Sequence, residues 1–146
     1  ELGVLAKSYI DKGQLVPDSV TISMLEAAVN ENPEAKGFIF DGFPRTNAQA
    51  QALDAFLEGQ NASITSMIAI EVNEDELKVR LAERAKTSGR ADDANPEVIQ
   101  NRIDVYNNET APVKNYYEAQ DKYREIDGVG SIEEITARLT AIIDSF

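Results

Sequence analysis

Three short apolar segments, separated by stretches of helical periodicity, constrain the fold of this chain more than any other feature. They lie at residues 37–40, 66–72 and 123–126, and between them apolar side chains recur every three or four positions. Short buried strands that alternate with helices are typical of an α/β fold with a parallel sheet flanked by helices. Three strands are few for such a sheet, so part of it is expected to be missing from these 146 residues.

Side chains suited to capping indicate where helices begin. Aspartate, asparagine and serine accept hydrogen bonds from the free N–H groups of a first helical turn. The residues in such positions are Asp18, Asn73, Asn95 and Ser131. Further helices are expected over residues 2–10 and 47–57. Pro112 is expected to break or kink the helix that begins after Asn95, because proline lacks the N–H that a helix interior requires.

Charge and composition exclude several classes of function. The formal net charge is −12, a field that repels nucleic acid and anionic membrane surfaces, so neither is an expected partner. The chain has no cysteine and no histidine, which removes disulfides, histidine bases and the usual zinc ligands. No segment approaches the roughly 20 apolar residues of a membrane span. A single domain in the cytoplasm is the simplest expectation.

The segment at residues 37–53, GFIFDGFPRTNAQAQAL, carries the clearest chemical pattern. A buried strand would deliver Asp41 to its carboxyl end, where open parallel sheets bind ligands. Gly42 would let the backbone approach a ligand closely, and Arg45 offers a planar set of donors suited to phosphate. The alternative is that Asp41 caps a turn and Arg45 is a solvated loop arginine.

The hexapeptide DGFPRT, followed by glutamine at the third position after its threonine, resembles the signature of the adenylate kinase family. The resemblance implies an α/β fold of the P-loop NTPase, nucleoside monophosphate kinase type, with its first strands missing. It implies reversible transfer of the γ-phosphoryl group of ATP to AMP, giving two ADP. The implied cofactor is Mg²⁺, bound with ATP, and the implied partners are ATP, AMP and ADP.

Roles follow residue by residue from that motif. In the family the aspartate organises Mg²⁺ through water and takes part in catalysis, the arginine holds the AMP phosphate, and the glutamine binds the adenine edge. The residues at matching positions are Asp41, Gly42, Phe43, Pro44, Arg45 and Gln49. Related UMP/CMP-type kinases typically have asparagine where this chain has Gln49, which favours adenine. A UMP/CMP-type kinase is therefore the alternative enzyme.

The opening segment, ELGVLAKSYIDKGQLVPDSV, is similar to the AMP-binding segment of the same family. The resemblance implies that Gln14, Leu15 and Val16 line the AMP site, largely through their backbone. The alternative is that Leu15 and Val16 are ordinary core residues, and the sequence is compatible with both interpretations.

Arg80 and Arg84 are four positions apart, so they share one face of the helix that begins after Asn73. The resemblance implies that both contact the transferring phosphates, in catalysis and in ATP binding, at the start of a short lid. The alternative is a pair of surface arginines, with Arg80 paired to Glu76 one turn earlier.

Arg90 and Arg102 match the two family arginines that follow the lid and reach the phosphates from the AMP side. Gly130 matches the loop whose backbone holds the adenine of ATP. The two other arginines, Arg124 and Arg138, are interpreted as surface residues.

The resemblance implies one short-lid domain, divided into AMP-binding helices (1–36), core (37–84 and 91–146) and lid (85–90). No G-x-x-x-x-G-K-[ST] loop occurs, so a chain lacking the P-loop segment, inactive by itself, is expected. A non-catalytic AMP-binding fragment is a second alternative. Family members are usually monomeric. A missing strand between those at 37–40 and 67–70 would leave unpaired edges, so marginal stability or self-association is expected.

Overall fold

The computed structural model describes residues 7–12, 14–88 and 95–146. Its helices are α1 (Asp18–Asn30), α2 (Asn47–Gly59), α3 (Glu74–Ser88), α4 (Pro96–Val105), α5 (Val113–Glu118) and α6 (Ile132–Ile143), and its strands are β1 (Met67–Glu71) and β2 (Tyr123–Asp127). Residues 7–10 are also helical. A π-helical turn, Tyr106–Thr110, follows α4 directly and leads to α5. The rest of the helix predicted at 2–10, residues 2–6, lies outside the described residues.

The two strands pair in parallel, with Met67 opposite Tyr123 and Glu71 opposite Asp127. Parallel neighbours require a crossover connection, and α3, α4 and α5 lie in the segment that connects β1 to β2. The predicted α/β class, a parallel sheet flanked by helices, is confirmed. Among the described residues no helix is both long enough and apolar enough to cross a membrane.

The prediction of a buried strand at residues 37–40 is wrong. This segment forms no strand, and Ile39 is 94% exposed. The rings of Phe38 and Phe40 stack with centroids 6.2 Å apart, as side chains two positions apart do on an extended backbone. An apolar run becomes a buried strand only where neighbouring strands pair with its backbone, and within the described ranges the sheet contains β1 and β2 alone.

Three of the four predicted caps are confirmed. Asn73 Oδ1 accepts from the N–H of Glu76 at 2.9 Å, Asn95 Oδ1 accepts from that of Glu97 at 2.9 Å, and Ser131 forms a complete capping box. The fourth is wrong, because Pro17 occupies the cap position of α1 with ψ 135°, and Asp18 becomes the first helical residue. The carboxylate of Asp18 is thereby directed to another part of the chain.

Two apolar clusters hold the elements that carry the candidate site. The first packs α2 against α5 and consists of Ala50, Val113 and Tyr117, with Met67 and Tyr123 of the sheet beside it. The second packs α3 against α4 and consists of Leu81, Ile99 and Ile103. The predicted break at Pro112 is confirmed, since the π-helical turn ends just before it and α5 begins at Val113.

Candidate functional site

The DGFPRT segment forms a tight loop that turns its arginine back on its glycine. Arg45 Nε donates to the carbonyl oxygen of Gly42 at 2.6 Å, and the peptide bond between Phe43 and Pro44 is cis. Gly42 has φ +67°, and a Cβ there would lie 2.9 Å from a guanidinium nitrogen of Arg45. Glycine is therefore required at this position for the loop to bring the guanidinium so close to the backbone.

Gln49 lies at the centre of a hydrogen-bond network behind this loop. Its side chain is 2% exposed, and its Oε1 accepts from the backbone N–H of Arg45 at 2.7 Å. Its Nε2 donates to Asp18 Oδ1 at 2.7 Å, and the hydroxyl of Thr46 donates to Asp18 Oδ2 at 3.0 Å. Thr46 also caps α2 by accepting from the N–H of Gln49 at 3.1 Å.

Two further hydrogen bonds join the loop and the opening segment to the region around α4. Asn101 Nδ2 donates to the carbonyl oxygen of Lys12 at 2.9 Å, and the hydroxyl of Thr110 donates to that of Arg45 at 2.9 Å. The segment 14–16 thus lies between two anchored points, one at Lys12 and the other at Asp18. Within it, Gln14 is exposed while Leu15 and Val16 are half-buried, which fits both interpretations of these residues.

The arginines of α3 and α4 are positioned by the second apolar cluster. Leu81 lies between Arg80 and Arg84 in the chain, and its packing on Ile99 and Ile103 brings α3 against the helix that carries Arg102. Arg84 is exposed and Arg102 is half-buried. The resemblance also predicts that five guanidinium groups face one cleft beside Asp41, those of Arg45, Arg80, Arg84, Arg90 and Arg102. This stays a prediction, and Arg90 lies outside the described residues.

Arg80 makes the contact expected of the surface alternative. Its Nε donates to Glu76 Oε1 at 2.7 Å, and the two side chains are 38% and 34% exposed. A half-buried ion pair between side chains one helical turn apart contributes only about 0.3–0.5 kcal/mol. The guanidinium can therefore exchange this partner for a phosphate group at little cost.

Asp41 is the one side chain predicted to act at a metal ion, and it is exposed. Among the described residues no three His, Cys, Asp or Glu side chains cluster as a metal site would require. A single accessible carboxylate does not form a protein cage. It does fit a Mg²⁺ ion held mainly by phosphate oxygens and water, the mode that this ion prefers.

The loop predicted to hold the ATP adenine is hydrogen-bonded by Arg138, which the sequence predicts to be a surface residue. Arg138 is partly exposed, but one of its terminal nitrogens donates to the carbonyl oxygens of Asp127 at 2.6 Å and Val129 at 2.7 Å. Gly130 has φ +132°, and a Cβ there would lie 2.7 Å from Glu134 Oε2. The conformation of this loop is therefore stabilised from α6, and its positive φ at position 130 favours glycine.

Two cavities of about 290 and 430 Å³ lie elsewhere, and none of the predicted site residues lines either one. The larger lies between the sheet and the π-helical turn and is lined partly by Glu71, Glu125, Lys114 and Tyr123. Burial raises the pKa of Tyr123 to about 12, and its hydroxyl donates to Glu125 at 3.1 Å. With two carboxylates in its wall, this cavity is unsuited to a phosphate.

The sequence did not single out four residues that organise the candidate site: Asp18 as a long-range acceptor, Thr46, Asn101 and Thr110. One local signal was available, because a proline directly before Asp18 can take the extended cap conformation and release the aspartate side chain. The partners of Asn101 and Thr110 lie far away in the chain, so no local pattern indicates them.

Comparison with known proteins places these features in a wider group. A family model described as adenylate kinase matches residues 1–122. Three relatives described as adenylate kinase come from Flavobacterium psychrophilum, Flavobacterium johnsoniae and Parabacteroides distasonis, and they are 52%, 50% and 47% identical to this chain. Each match covers 99% of this chain and 76% of the relative. The matched region of this chain therefore spans the opening segment, the DGFPRT loop and the positions of the candidate arginines.

Proposed function

Because the chain belongs to the adenylate kinase family, we propose that it carries the AMP site and the phosphate-contacting arginines of an enzyme that transfers the γ-phosphoryl group of ATP to AMP, giving two ADP. The observation that supports this most is the DGFPRT loop. It is tightly folded and hydrogen-bonded both to Asp18, beside the segment 14–16, and to Thr110, after α4. Segments that are distant in the chain thus meet around one loop.

On the acceptor side, Arg45 binds the AMP phosphate, and Gln14, Leu15 and Val16 line the nucleotide. Gly42, Phe43 and Pro44 shape the loop around it. Arg45 is exposed and already held by its own loop, so its planar donors need little further ordering to pair with a phosphate. Gln49 reads the adenine edge, which favours AMP over UMP or CMP as acceptor.

On the donor side, Arg80, Arg84, Arg90 and Arg102 neutralise the charge that spreads over the transferring group, and the backbone near Gly130 holds the adenine of ATP. Phosphoryl transfer depends on positioning and charge stabilisation rather than on a covalent intermediate, so the absence of histidine is no obstacle to this chemistry. Asp41 would help to hold Mg²⁺ through water, and the ion would supply positive charge that neutralises the phosphates. A short lid at residues 85–90 excludes water.

The 146 residues contain no G-x-x-x-x-G-K-[ST] loop, the element that cradles the β- and γ-phosphates. We therefore expect the purified 146-residue polypeptide to show no measurable phosphotransferase activity. ADP formation from ATP and AMP, followed in a coupled assay with Mg²⁺, tests this. Steady turnover above the rate of the reagents alone would contradict it.

Nucleotide binding by this polypeptide is tested separately from turnover. AMP titrated into the ¹⁵N-labelled chain is expected to shift the amide resonances of Arg45 and Gln49. Arg45→Ala should weaken AMP binding at least about tenfold, since a charge-assisted contact to phosphate is lost. Arg124→Ala is the matched control, because Arg124 is an exposed arginine whose hydrogen bonds go to carbonyls one and three positions away.

Three outcomes separate the alternatives. Equal or tighter binding of CMP or UMP would favour a UMP/CMP-type kinase. AMP binding without turnover is also the outcome expected of a non-catalytic AMP-binding fragment, and Arg45→Ala in an active relative would then show whether this arginine acts in turnover. No shift with any nucleotide would contradict the proposed site.

A further inference from the structure

We propose that Asp18 is a positioning residue for base selection: its carboxylate sets the direction of the Gln49 side-chain amide, and so decides which purine edge that amide can recognise. The inference rests on the proposed function, in which Gln49 reads the base of the acceptor nucleotide. It adds a residue that makes no contact with the nucleotide in its own right and acts through another side chain.

The geometry behind this inference is a carboxylate with both oxygens engaged by the segment that carries the DGFPRT motif. Asp18 Oδ1 accepts from Gln49 Nε2 at 2.7 Å, and Asp18 Oδ2 accepts from the Thr46 hydroxyl at 3.0 Å. Asp18 is half-buried, and Gln49 is 2% exposed. Because Pro17 holds the cap position of α1, the carboxylate is available for these partners, which are 31 and 28 positions away.

The network permits one direction of the Gln49 amide. Its oxygen faces the N–H of Arg45 at 2.7 Å, and its nitrogen faces the carboxylate. A rotation by half a turn would place the amide oxygen against Asp18 Oδ1 and the amide nitrogen against the Arg45 N–H. Both contacts would then be repulsive, acceptor to acceptor and donor to donor. The charged carboxylate contributes the stronger of the two restraints.

A fixed direction has a consequence for recognition. A primary amide has two N–H donors and two oxygen lone pairs, and this network uses one of each. One donor and one acceptor are left, in a fixed order in space. Adenine presents an N–H donor at its 6-position beside an acceptor at N1, whereas hypoxanthine and guanine present an acceptor at position 6 beside an N1 donor. An amide of fixed direction therefore suits one order and leaves the other unpaired, which lowers the affinity for the wrong base strongly in a covered site.

AMP and IMP are the sharpest pair of probes, because they differ only along that edge. We expect the 146-residue chain to bind AMP more tightly than IMP. Asp18→Asn keeps the size of the side chain but leaves one oxygen for two donors, and its own amide can turn either way. The ratio of AMP to IMP affinity should fall about tenfold in this variant. If Asp18 acted in folding alone, the substitution would weaken the binding of AMP and of IMP equally and leave the ratio of their affinities unchanged.

Asp104→Asn is the matched control. Asp104 also accepts a hydrogen bond from a glutamine amide, Gln100 Nε2 at 3.0 Å, but on the exposed surface of α4. This substitution makes the same chemical change at another glutamine partner. The AMP to IMP ratio should be that of the unsubstituted chain.

A second readout needs no nucleotide. In the ligand-free chain the Gln49 side-chain NH₂ resonances should exchange with water at least about tenfold faster after Asp18→Asn, because the hydrogen bond to a carboxylate is lost. If the unsubstituted chain binds neither AMP nor IMP, the proposed function fails, while this exchange rate still decides whether Asp18 holds the amide. Unchanged exchange, or an unchanged AMP to IMP ratio in a chain that binds AMP, would overturn the inference.

Should Asp18→Asn lose cooperative unfolding, Asp18→Glu replaces it in both measurements. Glutamate keeps the charge but moves the carboxylate by one methylene, so the hydrogen bond to Gln49 Nε2 lengthens or is lost. The same faster exchange and lower selectivity are expected, to a smaller extent. An Asp18→Glu variant identical to the unsubstituted chain in both readouts would again contradict the inference.

Discussion

Tyr116 and Tyr117 are neighbours in α5, yet their hydroxyl groups have opposite surroundings. The Tyr116 hydroxyl donates to Asp54 Oδ2 at 2.8 Å, whereas the Tyr117 side chain is 0% exposed and its hydroxyl has no hydrogen-bond partner within the described ranges. The rings meet edge to face with centroids 5.1 Å apart. The ring of Tyr117 thus packs in the apolar cluster, while its hydroxyl oxygen forms no hydrogen bond that would stabilise the fold.

Replacing each tyrosine by phenylalanine should therefore change the free energy of unfolding by different amounts. Tyr117→Phe removes an unsatisfied buried oxygen, so the free energy of unfolding should be unchanged or rise by up to about 1 kcal/mol. Tyr116→Phe removes a hydrogen bond to a carboxylate, so the free energy of unfolding should fall by about 1 kcal/mol. Urea denaturation of both variants measures the difference. Equal destabilisation by the two substitutions would contradict the structure at this position.

The same buried phenol predicts an alkaline limit to stability. Burial raises the pKa of Tyr117 above the value of about 10 that it has in the unfolded chain. Above that pH the unfolded state releases a proton that the folded state retains, so this group stabilises the fold below pH 10 and the contribution is lost as the pH rises further. The slope from one such group is at most about 1.4 kcal/mol per pH unit.

Denaturation series between pH 8 and pH 11 test this, with Tyr117→Phe as the reference. The variant should lose stability less steeply than the unsubstituted chain above pH 10. Tyr123, whose pKa burial raises to about 12, remains in both and contributes equally. Superimposable slopes would show that Tyr117 is not the group responsible.

At the scale of elements, the turn after β2 shows how a helix can stabilise a loop that is distant from it in the chain. The guanidinium of Arg138, on α6, reaches back to two carbonyl oxygens of this turn, and Asp127 Oδ1 accepts from the Val129 N–H at 2.8 Å. A Cβ at Gly128 would lie 2.5 Å from a methyl group of Ile70 on β1. The turn is thus held between β1 on one side and α6 on the other.

Arg138→Ala should loosen this turn without unfolding the chain. The free energy of unfolding is expected to fall by about 1 kcal/mol, because two hydrogen bonds are lost at a side chain that is 36% exposed. Hydrogen exchange at the Val129 amide should become faster. Arg124→Ala, whose partners are one and three positions away, should change stability by less than about 0.5 kcal/mol. Equal effects would indicate that Arg138 is a surface residue only.

At the scale of the whole molecule, the chain exposes more surface than its mass requires. A folded monomer of 16.0 kDa typically exposes about 7,400 Å², whereas this chain exposes 9540 Å². Part of the excess is apolar: Ile39 is 94% exposed and Ile70 of β1 is 47% exposed. Apolar side chains beside a strand with an unpaired edge promote pairing between molecules.

We therefore expect the 146-residue chain to self-associate as its concentration rises, and sedimentation velocity measures this. Ile39→Glu should reduce the association, because it places a charge in the exposed apolar segment. Ile132→Glu is the matched control, since Ile132 is also well exposed, at 80%, but lies in α6. A monomeric chain with one cooperative unfolding transition would contradict the expectation, and equal effects of the two substitutions would point to net charge alone.

The sequence by itself determined the features that act within about one helical turn. The caps at Asn73, Asn95 and Ser131 and the break at Pro112 all follow from side chains next to the backbone groups they affect. The DGFPRT motif likewise identified the family, because its residues are contiguous. Short-range hydrogen bonding and local sterics are encoded where they occur, so they can be read position by position.

Only the tertiary structure decided what depends on distant neighbours. Residues 37–40 have the composition of a strand but form none, because a strand needs a partner for its backbone. The sequence predicts that Asp18 caps its own helix, but its carboxylate accepts from Gln49, 31 positions away. Likewise, the hydroxyl of Thr110 donates to the Arg45 carbonyl, 65 positions away. The tertiary fold brings such distant residues together. Periodicity and local propensity do not specify that fold.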